Sequence, residues 1–599
     1  MSLSYARLDP AKNKVRLFTI WPDENEVNFV QGSLYSVSLN DGLEFEALSY
    51  VWGDITTTVD AWVNGHKIAV PTNLERFLRA LRQPKEKRVV WVDYLCINQE
   101  DILEKNTQVP LMSQIYRTAT SVIAWLGELS PNIEEAIAYN DWTRGEYTSR
   151  SQFWHDTCDE TTLSPEETRK RNLRKWRAYL GFCEIFHSPY WRRLWTFQEC
   201  IVPRKRPICM CGRISFIMGN IEDQLLKYLS FAAKSLENLD DEEPEYAEAM
   251  RKLDKERLEK CGRPFLDLLP IDVFKDEAIR PNDGRLPEFT LGTLLILTAH
   301  RKSSNPLDRV YALYAMTPGV QARHPPDYQK PLARLFHETT AYVLQTEKCL
   351  VILENFEFCN DKSAPSWVLD FVTTDTTHRR LMWDAYCRDI IPAKGLWDQN
   401  DSHTSKFQTI SALAGEGLRT PPDILSLACV IREGTPQFAD GSGLADTVIT
   451  ACYNYTRPYG TLSLTDFSTY LNWLACRTRM ADDPEVSLYE GLVNLAHHFP
   501  HMGGKRIFVI CSGLGGPRSI GFTDCDIESG DCLFIVSDLP LILVLREVNE
   551  ETAIDETKSQ FYKIVGRAFV EGIAEEEKEQ PTRFVQEVRS HPLIQVNIR

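Results

Sequence analysis

Residues 46–52, EALSYVW, open a pattern that decides the fold, because two similar runs follow: RVVWVD at 88–93 and SVIAWL at 121–126. Each is short, rich in β-branched and aromatic residues, and bounded by polar ones, which is how buried strands read. Between the first two, Leu74, Phe77, Leu78 and Leu81 fall on one face of a helix. Pro71 and a capping box of Thr72 with Glu75 mark its start. Between the second and third, Val109, Met112, Tyr116 and Ala119 keep helical spacing, and Pro110 marks a helix start. Alternation of this kind predicts a parallel sheet with right-handed crossovers, whose ligands gather at the carboxyl ends of the strands.

Outward from this core the pattern changes. Residues 140–171 form a polar insert, and residues 235–262 are so charged that they read as a linker or solvated helix. Residues 263–480 read as mostly helical, with apolar spacing at 291–298 and 332–344. Within 481–599, runs such as RIFVICS, DCLFIVSD and LILVLREV are β-rich and closed by Gly, Pro and Asp, which suggests a small antiparallel sheet or barrel. The first unit is thus expected over residues 1–234.

The 599 residues carry 67 Lys and Arg against 84 Asp and Glu, a net charge of −17 that repels phosphate backbones and anionic membranes. A nucleic-acid or membrane partner is not expected. The 16 cysteines are scattered and read as thiols of a reducing compartment. The N-terminus has no apolar leader core, and the run at 539–545 is too short for a bilayer, so the expected location is cytoplasmic.

The strand ends hold unusual residues: LSYVWGD at 48–54, WVDYLCINQ at 91–99, WLG at 125–127 and WRRLWTFQE at 191–199. Together and in this order they closely resemble the HET (heterokaryon incompatibility) domain of filamentous fungi. PLDRVYAL at 306–313, PSWVLD at 365–370 and the pattern of Gly530-Asp531, Pro540, Leu545-Arg546 and Val565-Gly566 resemble segments that follow that domain. Lys105, where the family pattern has Arg, and Pro110 depart from it.

HET domains are in turn distantly similar to the TIR fold, so the resemblance implies an α/β N-terminal domain with a flavodoxin/TIR-like parallel sheet. It also implies a site. Ser49, Tyr50 and Asp54 match the Ser-aromatic pair and acid after the first TIR strand, Asp93 the end of the second, and Trp195 with Glu199 the Trp-x-x-x-Glu spacing. In enzymatic members that Glu helps cleave the nicotinamide-ribose bond of NAD. The chemistry is consistent with a single acid: the transition state is cation-like, a carboxylate stabilises it, and nicotinamide leaves without a general acid.

Drawn as one helix from Ser188-Pro189, this segment puts Arg192, Trp195 and Glu199 on one side and Leu194, Phe197 and Ile201 on the other. Glu199 then points away from the core, as a solvated carboxylate or as the catalytic one. Ser49, Tyr50, Trp52, Asp54, Asp93 and Trp195 are candidates for binding the substrate, or for packing and turn formation. No metal or cofactor is expected beyond NAD as a substrate: Cys209 and Cys211 lack a second pair, His497, His498 and His501 fit no metal motif, and 513–516 reads as a turn. Cys96 has no evident His partner for nucleophilic work. The expected role is non-self recognition leading to growth arrest or cell death, with NAD cleavage as its mechanism. The alternative is a non-enzymatic scaffold that acts by binding another protein or itself.

Overall fold

A nine-stranded sheet organises the N-terminal unit, Met1–Lys330, of the computed structural model. Apart from short gaps, the structure describes residues 5–143, 163–217 and 289–372, with separate stretches between 404 and 598, so the middle of the polar insert expected at 140–171 lies outside the described residues. The strands are β1 Lys14–Ile20, β2 Gln31–Ser38, β3 Glu46–Ser49, β4 Thr58–Val63, β5 His66–Pro71, β6 Arg88–Trp91, β7 Ser121–Gly127, β8 Ile208–Cys211 and β9 Ile214–Ile217. Their spatial order is β5-β4-β2-β1-β6-β3-β7-β8-β9.

Four central strands, β6-β3-β7-β8, are mutually parallel, with Ala47 opposite both Trp91 and Val122. The sheet as a whole is mixed. β1 runs antiparallel to β6, and β1–β2, β4–β5 and β8–β9 are antiparallel pairs, so the expected parallel sheet is the centre of a larger one. The alternating β-α order dictates only the centre. Hairpin connections need no helix and so flank it with antiparallel strands.

Helix α1, Thr72–Leu81, joins the first of the central strands to the second by way of the β4–β5 hairpin. Leu74, Phe77, Leu78 and Leu81 are all buried, and Phe77 stacks on Trp125 with ring centroids 5.1 Å apart. Next come a short turn of helix, α2 (Asp93–Cys96), and α3 (Ile102–Thr118), whose Tyr116 meets Trp91 edge-on at 5.5 Å. Trp91 and Val122 flank Ala47 in register and share its face, while Trp125 alternates to the opposite face, so α1 and α3 cover the two faces of the sheet. Across the sheet the parallel strands lie in the chain order second, first, third, fourth, a doubly wound order that places the switch point between β3 and β7.

Two local expectations are corrected. Thr72 is the first helical residue and makes no cap; its hydroxyl donates to the Thr57 carbonyl, and Glu75 instead pairs with Arg79. α3 begins at Ile102, where Asp101 caps the Glu104 amide, and Pro110 lies inside the helix. The cap satisfies an amide that would otherwise be orphaned, and so it fixes the start better than a proline does.

Beyond the third strand, α4 (Pro131–Thr143) and α5 (Pro165–Phe186) pack as a pair, and α6 (Leu194–Ile201) returns the chain to β8. α7 (Leu291–Leu297), α8 (Asp308–Tyr311) and α9 (Pro318–Arg323), helices of the stretch expected to be mostly helical, belong to this same unit. The second unit, Pro331–Arg599, contains α10 (Leu332–Gln345) and a largely antiparallel sheet. Within that sheet, Cys532–Val536 and Ile542–Val548 pair antiparallel, and Arg546 holds the buried Asp531 carboxylate at 2.8 and 3.0 Å. Thr404–Thr409 adds a strand from well before residue 481. The linker expected at 235–262 lies outside the described residues, as do most of 263–480, the 513–516 turn and His497, His498 and His501.

Candidate functional site

Parallel strands end where their polar neighbours can meet, and here two such ends meet α6 and the residue before it. Ser49 is the last residue of β3, and Asp93 opens α2 two residues after β6. Glu199 reaches them from α6. Ser49 Oγ donates to Glu199 Oε2 at 2.5 Å and contacts the Tyr190 hydroxyl at 2.7 Å, which in turn meets Cys200 Sγ at 3.2 Å. Arg193 Nη1 donates to the Tyr50 carbonyl at 2.6 Å and lies 3.8 Å from Glu199 Oε1, while Nη2 donates to Asp93 Oδ2 at 3.3 Å. Trp52 Nε1 donates to the same Asp93 oxygen at 2.8 Å, and the Arg193 guanidinium sits 5.8 Å from the Trp52 ring.

The position of Glu199 differs from the expected one. Its relative exposure is 0%, and all eight residues of α6 are buried. The reason is a break in the helix. Pro189–Arg192 form a 3-10 turn, Arg193 is extended, and the α-helix starts only at Leu194. A helical wheel drawn from Ser188 carries the wrong phase past that break. Arg193, not Arg192, therefore faces Glu199.

Burial governs the electrostatics. It pushes the Glu199 carboxyl up to about 7 from an ordinary 4.5, against the downward pull of Arg193 and of the Ser49 hydrogen bond. The Tyr50, Tyr116 and Tyr190 phenols are likewise raised by burial. Burial opposes the charge of Arg193, but Glu199 and Asp93 outweigh it and hold the guanidinium charged. Glu199 Oε1 makes no hydrogen bond in this sealed space. Chemically, the cluster can hold or release one proton at Glu199 while Arg193 stays fixed between two acids.

Of the residues singled out in the sequence, Ser49, Tyr50, Asp93 and Glu199 come together, with Trp52 half-buried at the edge. Two do not join them. Asp54 is exposed and shapes its own turn, accepting from the Thr56 amide at 2.9 Å and from the Thr56 and Thr57 hydroxyls. Trp195 is buried, and its indole N–H donates to Asp308 Oδ2 at 2.9 Å. Sequence reasoning missed Arg193, Tyr190 and Asp308. The Arg192-Arg193 doublet was the available signal for the first, and the aspartate of PLDRVYAL for the last. The Cys96 thiol is buried and pushed up to about 12, the reverse of what a nucleophile needs. Among the described residues no group of three His, Cys, Asp or Glu is arranged to hold a metal ion.

Comparison with known proteins agrees with the motif pattern. The chain is 29% identical over 248 residues to heterokaryon incompatibility protein 6, OR allele, of Neurospora crassa, covering 36% of this chain and 34% of that relative. It thus aligns with about a third of the relative's length. No solved structure matches. The profile of the heterokaryon incompatibility protein (HET) family matches residues 45–199, from the residue before β3 to Glu199 itself, so this stretch of the chain is a HET domain.

Proposed function

We propose that this chain acts in heterokaryon incompatibility, recognising non-self and setting off growth arrest or cell death, and that its HET domain signals by assembly with a protein partner or a second copy. One observation carries the choice of assembly over catalysis: the carboxylate that the TIR resemblance nominates is wholly buried, with Ser49 and Arg193 against it. A carboxylate with no exposed surface meets no dinucleotide. A cytoplasmic location goes with this reading, and no described helix is long and apolar enough to cross a membrane.

The test uses the full chain, as purified and after forced clustering, incubated with NAD while free nicotinamide is measured. Assembly alone predicts no release in either state, together with growth arrest when the chain is expressed in a filamentous fungus. Release that disappears in Glu199→Gln would overturn it in favour of a second reading, TIR-like cleavage of NAD in an opened state. That reading draws on a specific feature: Glu199 keeps one oxygen free of hydrogen bonds at the strand ends, and its carboxyl is pushed up to about 7.

A further inference from the structure

Arg193 closes the Glu199 cluster, and what holds Arg193 lies more than a hundred residues further along the chain. Its backbone bridges to Lys302: the Leu194 amide donates to the Lys302 carbonyl at 2.8 Å, and the Lys302 amide donates to the Arg192 carbonyl at 2.6 Å. These two bonds flank Arg193, the extended residue at the break before α6. Two residues on, Trp195 donates to Asp308 Oδ2, while the Tyr328 hydroxyl donates to Asp308 Oδ1 at 2.8 Å. The segment is braced from within, since Arg309 donates to the carbonyls of Ala299 and Arg301, both buried bonds. It is braced from α3 as well, where the Asn106 side chain accepts from the Tyr328 amide at 2.9 Å.

We infer that residues 299–308 are an autoinhibitory latch: by pinning the backbone on both sides of Arg193 and the indole of Trp195, they hold the Arg193 side chain across Glu199 and keep the cluster shut. Release of the latch frees the break at Arg193 to rotate, lifts the guanidinium from Asp93 and Glu199, and exposes a carboxylate that is otherwise sealed. The contact consists of two main-chain bonds, a 3.4 Å bond from Arg301 Nη1 to the Arg193 carbonyl with the Arg301 guanidinium over the Phe197 ring, and one indole bond to a buried aspartate whose carboxyl burial already pushes upward. The latch segment lies outside the HET match at 45–199 and leads within about twenty residues into the second unit, which begins at Pro331. A change in that unit therefore has a short covalent path to the latch. The inference deepens the signalling role proposed above by supplying its off state, and its test does not depend on which mechanism the open state uses.

The experiment compares the full-length chain with Asp308→Ala, which removes the acceptor of both bonds, and with Trp195→Phe, which removes only the indole donor. Two readouts are taken: amide hydrogen exchange across 193–199, and labelling of the Glu199 carboxyl by a carbodiimide and a soluble amine, each located by mass spectrometry. Expected is a rise of about tenfold or more in both for Asp308→Ala and a smaller rise for Trp195→Phe, with peptides from α4 and α5 unchanged. Unchanged labelling in both variants overturns the latch. So does a uniform rise throughout the N-terminal unit, which would make Asp308 a general stabilising residue. Nicotinamide release from NAD is followed in the same samples. Raised labelling without release keeps the latch and removes the NAD reading, and flat labelling removes the latch whatever the release.

Discussion

Replacing Glu199 with Gln keeps the shape of the side chain and removes its titration. In the folded protein burial pushes the carboxyl up to about 7, whereas the unfolded chain titrates near 4.5. The native state therefore holds a proton that the unfolded state has released over that interval. Stability changes with pH in proportion to the protons bound by the unfolded state minus those bound by the native one, so the slope is negative between about 4.5 and 7. At ~1.36 kcal/mol per pH unit, the gap costs roughly 3 kcal/mol once the pH passes 7. Below about 4.5 the cost is absent.

Asp93, Arg193, Ser49, Tyr116 and Tyr190 face Glu199, and all are common to both proteins. The difference between the proteins therefore isolates one carboxyl. Denaturant dependence of hydrogen exchange at the β3 and β7 amides reports opening of the N-terminal unit without interference from the second. Glu199→Gln is expected to gain about 3 kcal/mol on the wild type between pH 5 and pH 8, with the two profiles converging at acid pH. Parallel profiles, or a wild type that gains on the variant as the pH rises, would mean that Arg193 outweighs desolvation and that Glu199 is ionised in the folded state.

Ser49→Ala leaves Glu199 Oε2 without its donor and is expected to cost about 1–3 kcal/mol by denaturant titration; because the lost bond favours the charged form, the fall in stability begins at the same pH but extends further upward. Arg193→Met leaves Asp93 and Glu199 without their cation and should cost about 3–5 kcal/mol at pH 8 but less at pH 5, where Glu199 is protonated. Gly181→Ala would put a Cβ 2.0 Å from the Asn132 carbonyl oxygen, so α4 and α5 must part; a loss of about 1–3 kcal/mol should appear as a lower melting temperature, and Gly181→Val should be worse.

The central α/β layout was legible because each element repeats one period: β3, β6 and β7 read as short apolar runs, and the buried residues of α1 fall where a helix of 3.6 residues per turn puts them. The flanking strands were harder. β1 is buried on both faces along almost its whole length, so its sequence KVRLFTI shows no clean alternation. The β4–β5 hairpin did carry a signal that went unread, Asn64-Gly65 between two six-residue strands, and both residues have the positive φ that a tight two-residue hairpin turn requires. At the site, residue types at the strand ends pointed to Ser49, Asp93 and Glu199, but their burial did not follow from spacing. One extended residue, Arg193, resets the helical phase, and nothing local in WRRLWTFQE announces it. Asp308 stood within the PLDRVYAL motif, but its partner did not follow from the sequence, because it joins α6 across 113 residues of chain.

The composition of the cluster bears on why it is there. Two carboxylates and one guanidinium enclosed together leave one negative charge uncompensated when both acids are ionised, and a buried ion network of this kind is no more stable than well-packed apolar side chains of similar volume. A leucine at 199 and a methionine at 193 would close the same space without an oxygen free of hydrogen bonds. The polar version earns no stability that the apolar one lacks, but it adds two variables that an apolar core does not have, the proton on Glu199 and the position of Arg193. Both act in the same direction: loss of the proton strengthens the demand for Arg193, and removal of Arg193 raises the cost of the ionised Glu199. If residues 299–308 act as the proposed latch, the position of Arg193 and the proton on Glu199 are the two variables that set whether the cluster is closed.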